Sequence, residues 1–168
     1  MIKSKKILIT GGAGFIGTNA VEYFSGSNEI IVVDNLSRAG ADKNLEFLKK
    51  NFKFVFENYD ISDRGIIDYL SAKYPDIDVV IHLAAQVAVT TSVVDPIADF
   101  DINACGTINI LEYSRNLKTK PVFIYASTNK VYGDLEYMEL LETGKKYSFK
   151  NAEIIGVSEE CPLDFHSP

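Results

Sequence analysis

The chain has 168 residues, 46% of them hydrophobic and 24% charged, a composition that suits one globular domain with a sizeable core. Lys and Arg number 17 against 23 Asp and Glu, and the net charge of −6 with no basic block argues against a nucleic-acid or anionic-membrane surface. Cys105 and Cys161 stand apart, with no C-x-x-C and no histidine at ligand spacing, so neither a disulfide scaffold nor a metal site is expected and a reducing cytoplasm fits.

Lys3-Ser4-Lys5-Lys6 followed by Ile7-Leu8-Ile9 is like the charged start of a signal peptide, but Thr10-Gly11-Gly12 interrupts the apolar stretch too early. Lys6–Thr10 reads instead as a buried strand, and Gly14–Phe24 as a helix with Ile16, Ala20 and Phe24 on one face. Glu29–Val33 is a second strand, Asp42–Lys50 a helix with Leu45 and Leu48 inward, and Phe52–Glu57 a third strand. A helix over 63–73 begins at an Asp63 or Ser62 cap. Val79–Leu83 is the fourth strand. The apolar passage containing it, Val79–Val89, includes His82 and Gln86 and is far too short to span a bilayer. Asp95-Pro96, a cap with proline in the first turn, opens a helix running to about Asn116, and Pro121–Ala126 is the fifth strand.

Short apolar strands separated by helices predict parallel pairing with helices on both faces, an α/β doubly wound, Rossmann-like sheet. Residues 1–133 read as one such domain. Residues 134–168, with scattered aromatics and charges such as Tyr137, Lys145-Lys146 and Glu159-Glu160, are expected to be irregular. Such a tail predicts an active-site loop whose packing partners lie beyond Pro168, the chain being the front part of something larger.

Thr10-Gly11-Gly12-Ala13-Gly14-Phe15-Ile16-Gly17 joins the first strand to the first helix. A dinucleotide's diphosphate needs backbone N–H groups and a helix N-terminus at close range, without Cβ atoms in the way. Gly11 permits the tight turn, Gly14 the approach of phosphate, and Gly17 close packing of helix on sheet. Asp34 ends the second strand, twenty residues after Gly14. A carboxylate there accepts the hydroxyls of an adenosine ribose and repels a 2′-phosphate, which favours NAD over NADP. Two alternatives stay open: Arg38 could bind that phosphate, and Asp34 could simply cap its own loop. A P-loop is excluded, since no Gly-Lys-Ser/Thr follows the glycines.

Thr10 to Gly17, Asp34-Asn35-Leu36, Asp60-Ile61, His82-Leu83-Ala84-Ala85 and Ser127-Thr128…Val131-Tyr132-Gly133, five motifs in order, resemble the extended short-chain dehydrogenase/reductase family, and within it the nucleotide-sugar epimerases and dehydratases. The resemblance covers essentially the whole chain. Three loops, 86–92, 127–134 and 163–168, are most similar to the branch that epimerises CDP-linked sugars at C2. The resemblance implies NAD as cofactor, held by Gly11, Gly14, Phe15, Ile16 and Gly17 on the turn and by Asp34, Asn35, Ser37 and Arg38 after the second strand. Asp60 and Ile61 would flank the adenine, one by a polar contact and the other by apolar packing. Leu83, Ala84, Ala85 and Gln86 would line the cofactor, with Asn103 near the active-site backbone. On its own chemistry Asp60-Ile61 is equally an ordinary loop, and Asn103 equally a helix residue bonding locally. His82 reads as a packed strand-end histidine with no chemistry.

Thr128, with Ser127 beside it, matches the family's catalytic Ser/Thr, whose hydroxyl bonds the reacting sugar oxygen; unaided, the pair reads as a cap or turn. Related dehydratases carry an acidic pair after this threonine, where this chain has Asn129 and Lys130, a departure that fits an oxidation–reduction epimerase. The family's general base and its lysine form a Tyr-x-x-x-Lys pair that directly follows Ser167-Pro168 in relatives. Tyr69 and Lys73 have that spacing but precede the fourth strand, and are read as a coincidence with Lys73 facing solvent and Tyr69 partly packed. The partners implied are a nucleotide-sugar, a CDP-sugar by the loops, and a second copy of the full-length protein; no nucleic acid or membrane is expected.

Overall fold

The computed structural model describes residues 2–135 and 137–163, the side chain of Asn129 excepted. The strands β1 (Lys6–Thr10), β2 (Glu29–Val33), β3 (Val55–Glu57), β4 (Val79–His82) and β5 (Val122–Tyr125) form one sheet ordered β3-β2-β1-β4-β5, paired in parallel throughout. The helices are α1 (Phe15–Ser25), α2 (Ala41–Asn51), α3 (Ile66–Lys73), α4 (Val89–Val94), α5 (Pro96–Phe100) and α6 (Gly106–Asn116).

Strand alternation feeds two cores. Ile7 and Ile9 of β1 pack with Ile30 and Val32 of β2, Val21 of α1 and Leu48 of α2. Leu8, between them, points to the other face and packs with Ile66 and Leu70 of α3 and Ile110 and Tyr113 of α6. Each such side chain contributes about 1.5–3 kcal/mol on burial. Both faces of the central strands β1, β2 and β4 are therefore covered, as the run of short apolar strands predicts, whereas Val122, Ile124 and Tyr125 leave β5 exposed.

Several boundaries differ from the sequence reading. The inward face of α1 is Gly17 and Val21, with Ala20 and Phe24 beside it, and Ile16 is 64% exposed. The glycine lets the backbone itself supply the contact, so the apolar stripe is turned by one residue. Strand β3 is only three residues long. Helix α3 starts at Ile66 because the Asp63 carboxylate accepts the Gly65 N–H at 2.8 Å, making a separate turn ahead of it. The long helix expected from Asp95 is α5, a π-helical turn over Asp101–Cys105, then α6. Asp95 caps it as expected, accepting the Ala98 N–H at 3.0 Å. The short α4 has no exposed-to-buried rhythm to announce it.

The chain divides into two compact units, Met1–Ala126 and Ser127–Pro168. The second corrects the expectation of an irregular region from 134 onward: β6 (Leu140–Thr143) and β7 (Lys146–Phe149) form an antiparallel hairpin. Gly144, at φ 64°, takes the first position of its two-residue loop, where a positive φ matches strand twist. Its strands are almost wholly exposed, so no alternation of buried and exposed residues marks them.

Candidate functional site

The order of strands reverses between β1 and β4, and in open parallel sheets a crevice at the carboxyl ends of such strands receives ligands. The glycine turn stands there. Gly11 has φ 68°, and a Cβ on it would lie 2.7 Å from the Ala84 nitrogen and 2.8 Å from the Leu83 carbonyl carbon, so it is both left-handed and pressed on the end of β4. A Cβ on Gly17 would lie 2.2 Å from Gly11 O, which brings the first turn of α1 directly onto the loop backbone. A Cβ on Gly14 would approach only Gly11 O, at 3.2 Å, and otherwise meet open space. Helix α1 has no side-chain cap, and Phe15, 84% exposed, and Ile16 leave its first turn facing outward. Backbone amides presented without Cβ atoms in front of them are what a diphosphate requires.

Asp34 bridges the turn and its own loop. Its Oδ2 accepts the Ala13 N–H at 3.0 Å and its Oδ1 the Leu36 N–H at 2.8 Å, which realises the loop-capping alternative while leaving further lone pairs on both oxygens. Asn35 donates to Asp60 Oδ2 at 2.7 Å and accepts the Ser37 N–H at 3.0 Å, joining the ends of β2 and β3. Ser37 and Arg38 are exposed beside them. Burial pushes the Asp60 carboxyl up, but bonds from the Ser62 hydroxyl and amide and from Asn35 outweigh it and hold it below the usual carboxylate range. Ile61 corrects the sequence reading. Its side chain is buried in the core against Gly106, where a Cβ would lie 2.6 Å from Ile61 Cδ1, and its carbonyl accepts a bond from Asn109 Nδ2 at 2.8 Å.

After β4 the chain runs through Leu83, Ala84, Ala85 and Gln86. Thr10 Oγ1 accepts the Leu83 and Ala84 N–H groups, both at 3.2 Å. Asn103, on the π-helical turn, clamps Gln86 with both ends of its carboxamide: Oδ1 accepts the Gln86 N–H at 2.9 Å and Nδ2 donates to Gln86 O at 3.0 Å. Asp99 Oδ1 takes a second bond from Asn103 Nδ2 and one from the Ser92 hydroxyl. His82 is 1% exposed, bonded to Thr10 and Thr107, and burial lowers its pKa to about 4, so it is neutral at pH 7.

Ser127 and Thr128 open the second unit, and both are exposed. Thr128 Oγ1 accepts the Lys130 N–H at 3.2 Å and caps the 3₁₀ turn Asn129–Tyr132, leaving its proton to donate. The stretch Asp164–Pro168, including Ser167-Pro168, lies outside the described residues. Tyr69 and Lys73 do converge, but on a residue the sequence reading passed over: Glu57, buried at the end of β3. It accepts bonds from Tyr69, Tyr74 and Lys73, the last at 2.7 Å. Lys73 is therefore tethered as well as half-exposed. Burial would raise Glu57, and these three donors together keep it lowered. Among the described residues no helix is long and apolar enough to cross a membrane, and no group of His, Cys, Asp or Glu gathers as a metal site.

A parallel sheet in this order, with a glycine turn at its switch point and an acidic residue directly after β2, defines a Rossmann fold of the short-chain dehydrogenase/reductase type. Comparison with known proteins narrows the class. The chain belongs to the GDP-mannose 4,6 dehydratase family, whose model matches residues 8–149. It is 45% identical over 164 residues to CDP-paratose 2-epimerase of Salmonella typhi, covering 97% of this chain and 48% of that protein. The UDP-Glc/GlcNAc 4-epimerase of Campylobacter jejuni superposes with a TM-score of 0.72 at 30% identity, over 96% of this chain and 43% of that one. The Bordetella bronchiseptica enzyme WbmF, solved with NAD+ and UDP, is 26% identical with a TM-score of 0.64, over 73% of this chain and 35% of that one. The chain spans about half the length of the curated relatives it matches, 48% of the first.

Proposed function

We propose that this chain is the NAD-binding half of a nucleotide-sugar epimerase, with CDP-paratose as the substrate and C2 as the centre inverted. The observation that carries the reading is the glycine turn: Gly11 and Gly17 are packed so closely on backbone that no side chain fits, while Gly14 opens outward at the switch point. The residues fit a dinucleotide. Amides of the turn and of Phe15 and Ile16 would meet the diphosphate, and the free lone pairs of Asp34 the ribose hydroxyls, with Asn35, Ser37 and Arg38 around them. Asp60 would take the adenine end, and Leu83–Gln86 with Asn103 the nicotinamide side.

When bound, NAD supplies transient removal and return of hydride, so one carbon can be inverted without net redox change. Thr128, assisted by Ser127, would donate a hydrogen bond to the sugar oxygen. By the family resemblance, a tyrosine with its lysine partner, directly after the Ser-Pro that matches Ser167-Pro168, would accept the proton. The 45% identity supports the CDP-sugar. A second reading, 4-epimerisation of a UDP-sugar, is favoured by the match to the Campylobacter enzyme over 96% of the chain.

Fluorescence titration of the 168-residue chain with NADH and NADPH tests the cofactor, and tighter NADPH binding overturns the assignment to NAD. The full-length protein should convert CDP-paratose; conversion of UDP-galactose instead establishes the second reading.

A further inference from the structure

Resting on the nucleotide-binding reading, we infer that His82 is a positioning residue: as the neutral Nε2–H tautomer it links the glycine turn to the Asn103 clamp and so fixes the backbone of residues 83–86. The tautomer follows from counting protons at both ends. Thr10 Oγ1 already accepts two backbone N–H groups, from Leu83 and Ala84, so towards His82 Nδ1, 2.8 Å away, it has only its own proton to offer. Nδ1 is therefore the acceptor. At the other end Thr107 gives its single proton to the Asn103 carbonyl at 2.6 Å, so towards His82 Nε2, at 3.1 Å, it can only accept. Nε2 must carry the hydrogen. Two independent constraints select the same state of the ring, and each of its two nitrogens has one role.

The series runs Thr10, His82, Thr107, Asn103, Gln86, entirely within the first compact unit. Its near end holds the Leu83 and Ala84 amides, against which Gly11 is packed without room for a Cβ. Its far end holds Gln86 at both its N–H and its carbonyl. The short segment between β4 and α4 is thus gripped at two points by groups that meet on one imidazole. Phe123 and Tyr125 of β5 lie beside that ring, with centroids 5.8 and 5.9 Å away, and set its plane. The orientation matters because each contact has a direction: an imidazolium, or the other tautomer, would set an N–H against the Thr10 hydroxyl, whose oxygen has no acceptor capacity left.

NMR of the ¹⁵N-labelled chain at pH 7 reads the ring directly, with a His166→Gln sample separating the two histidines. The expected spectrum for His82 has a bare Nδ1 and a protonated Nε2; a protonated Nδ1, or two protonated nitrogens, overturns the inference. Thr107→Val removes the far acceptor without changing shape. It should displace the amide resonances of Leu83, Ala84 and Gln86 together and weaken NADH binding about fivefold, the effect of one neutral hydrogen bond. Thr107→Ser should restore both, which a purely packing role of the threonine would not. Unmoved resonances at 83–86 in a folded Thr107→Val chain overturn the linkage. A chain that shows the predicted ring and resonance shifts but takes no NADH supports the linkage and overturns the nucleotide reading instead.

Discussion

His82 predicts how stability depends on pH. Folded, its pKa is lowered by burial to about 4; in the unfolded chain it returns to 6.5. Between those values the unfolded chain binds a proton that the folded chain refuses, so stability rises with pH and falls on acidification. Taking pH 7 to pH 5 should cost about 2 kcal/mol from this residue alone. Asp60 and Glu57 do not confuse the window. Their folded pKa values are lowered from 3.8 and 4.5, so their contribution is present above those values and is lost only as pH falls through the still lower folded ones. Urea unfolding followed by far-UV circular dichroism at pH 7, 6 and 5 measures the slope, and His82→Gln supplies the control in which it should flatten. Wild-type stability independent of pH across this interval, or a slope retained in His82→Gln, would refute the reasoning.

Gly17→Ala puts a Cβ 2.2 Å from Gly11 O and 2.5 Å from Gly12 Cα; the turn has to move, at about 1–3 kcal/mol, and calorimetry should show a lower Tm alongside lost NADH binding. Asp34→Asn removes the charge that opposes a 2′-phosphate, and the ratio of NADPH to NADH dissociation constants should shrink about tenfold in parallel titrations. Tyr74→Phe takes a buried hydroxyl from the Glu57 carboxylate, and chemical denaturation should show a loss of about 2 kcal/mol.

The sheet was legible because parallel strands buried on both faces are written as unbroken apolar runs, such as Ile7-Leu8-Ile9 and Ile30-Ile31-Val32. The glycine turn was legible because the demands on Gly11 and Gly17 are steric and local. What the sequence could not give are contacts made at long separation. Glu57 meets Tyr69, Tyr74 and Lys73 only once β3 lies beside α3, and its own neighbours in sequence contain nothing to suggest a buried carboxylate. Ile61 was misjudged for the same reason: its side chain turns inward to fill the space above Gly106, forty-five residues away. The hairpin around Gly144 escaped because periodicity reports burial, and its strands are exposed.

The wide turn at Asp101–Cys105, closed by the Gly106 N–H on the Asp101 carbonyl, adds one residue to the winding of an otherwise continuous helix. One residue is about 100° of phase. Downstream, Asn109, Ile110 and Tyr113 must face inward; within the turn itself, Asn103 must reach across to Gln86. Regular winding would meet one of these demands and swing the other aside, so deleting a single residue from this turn would leave every side chain present and yet unhitch the helix from the loop it steadies.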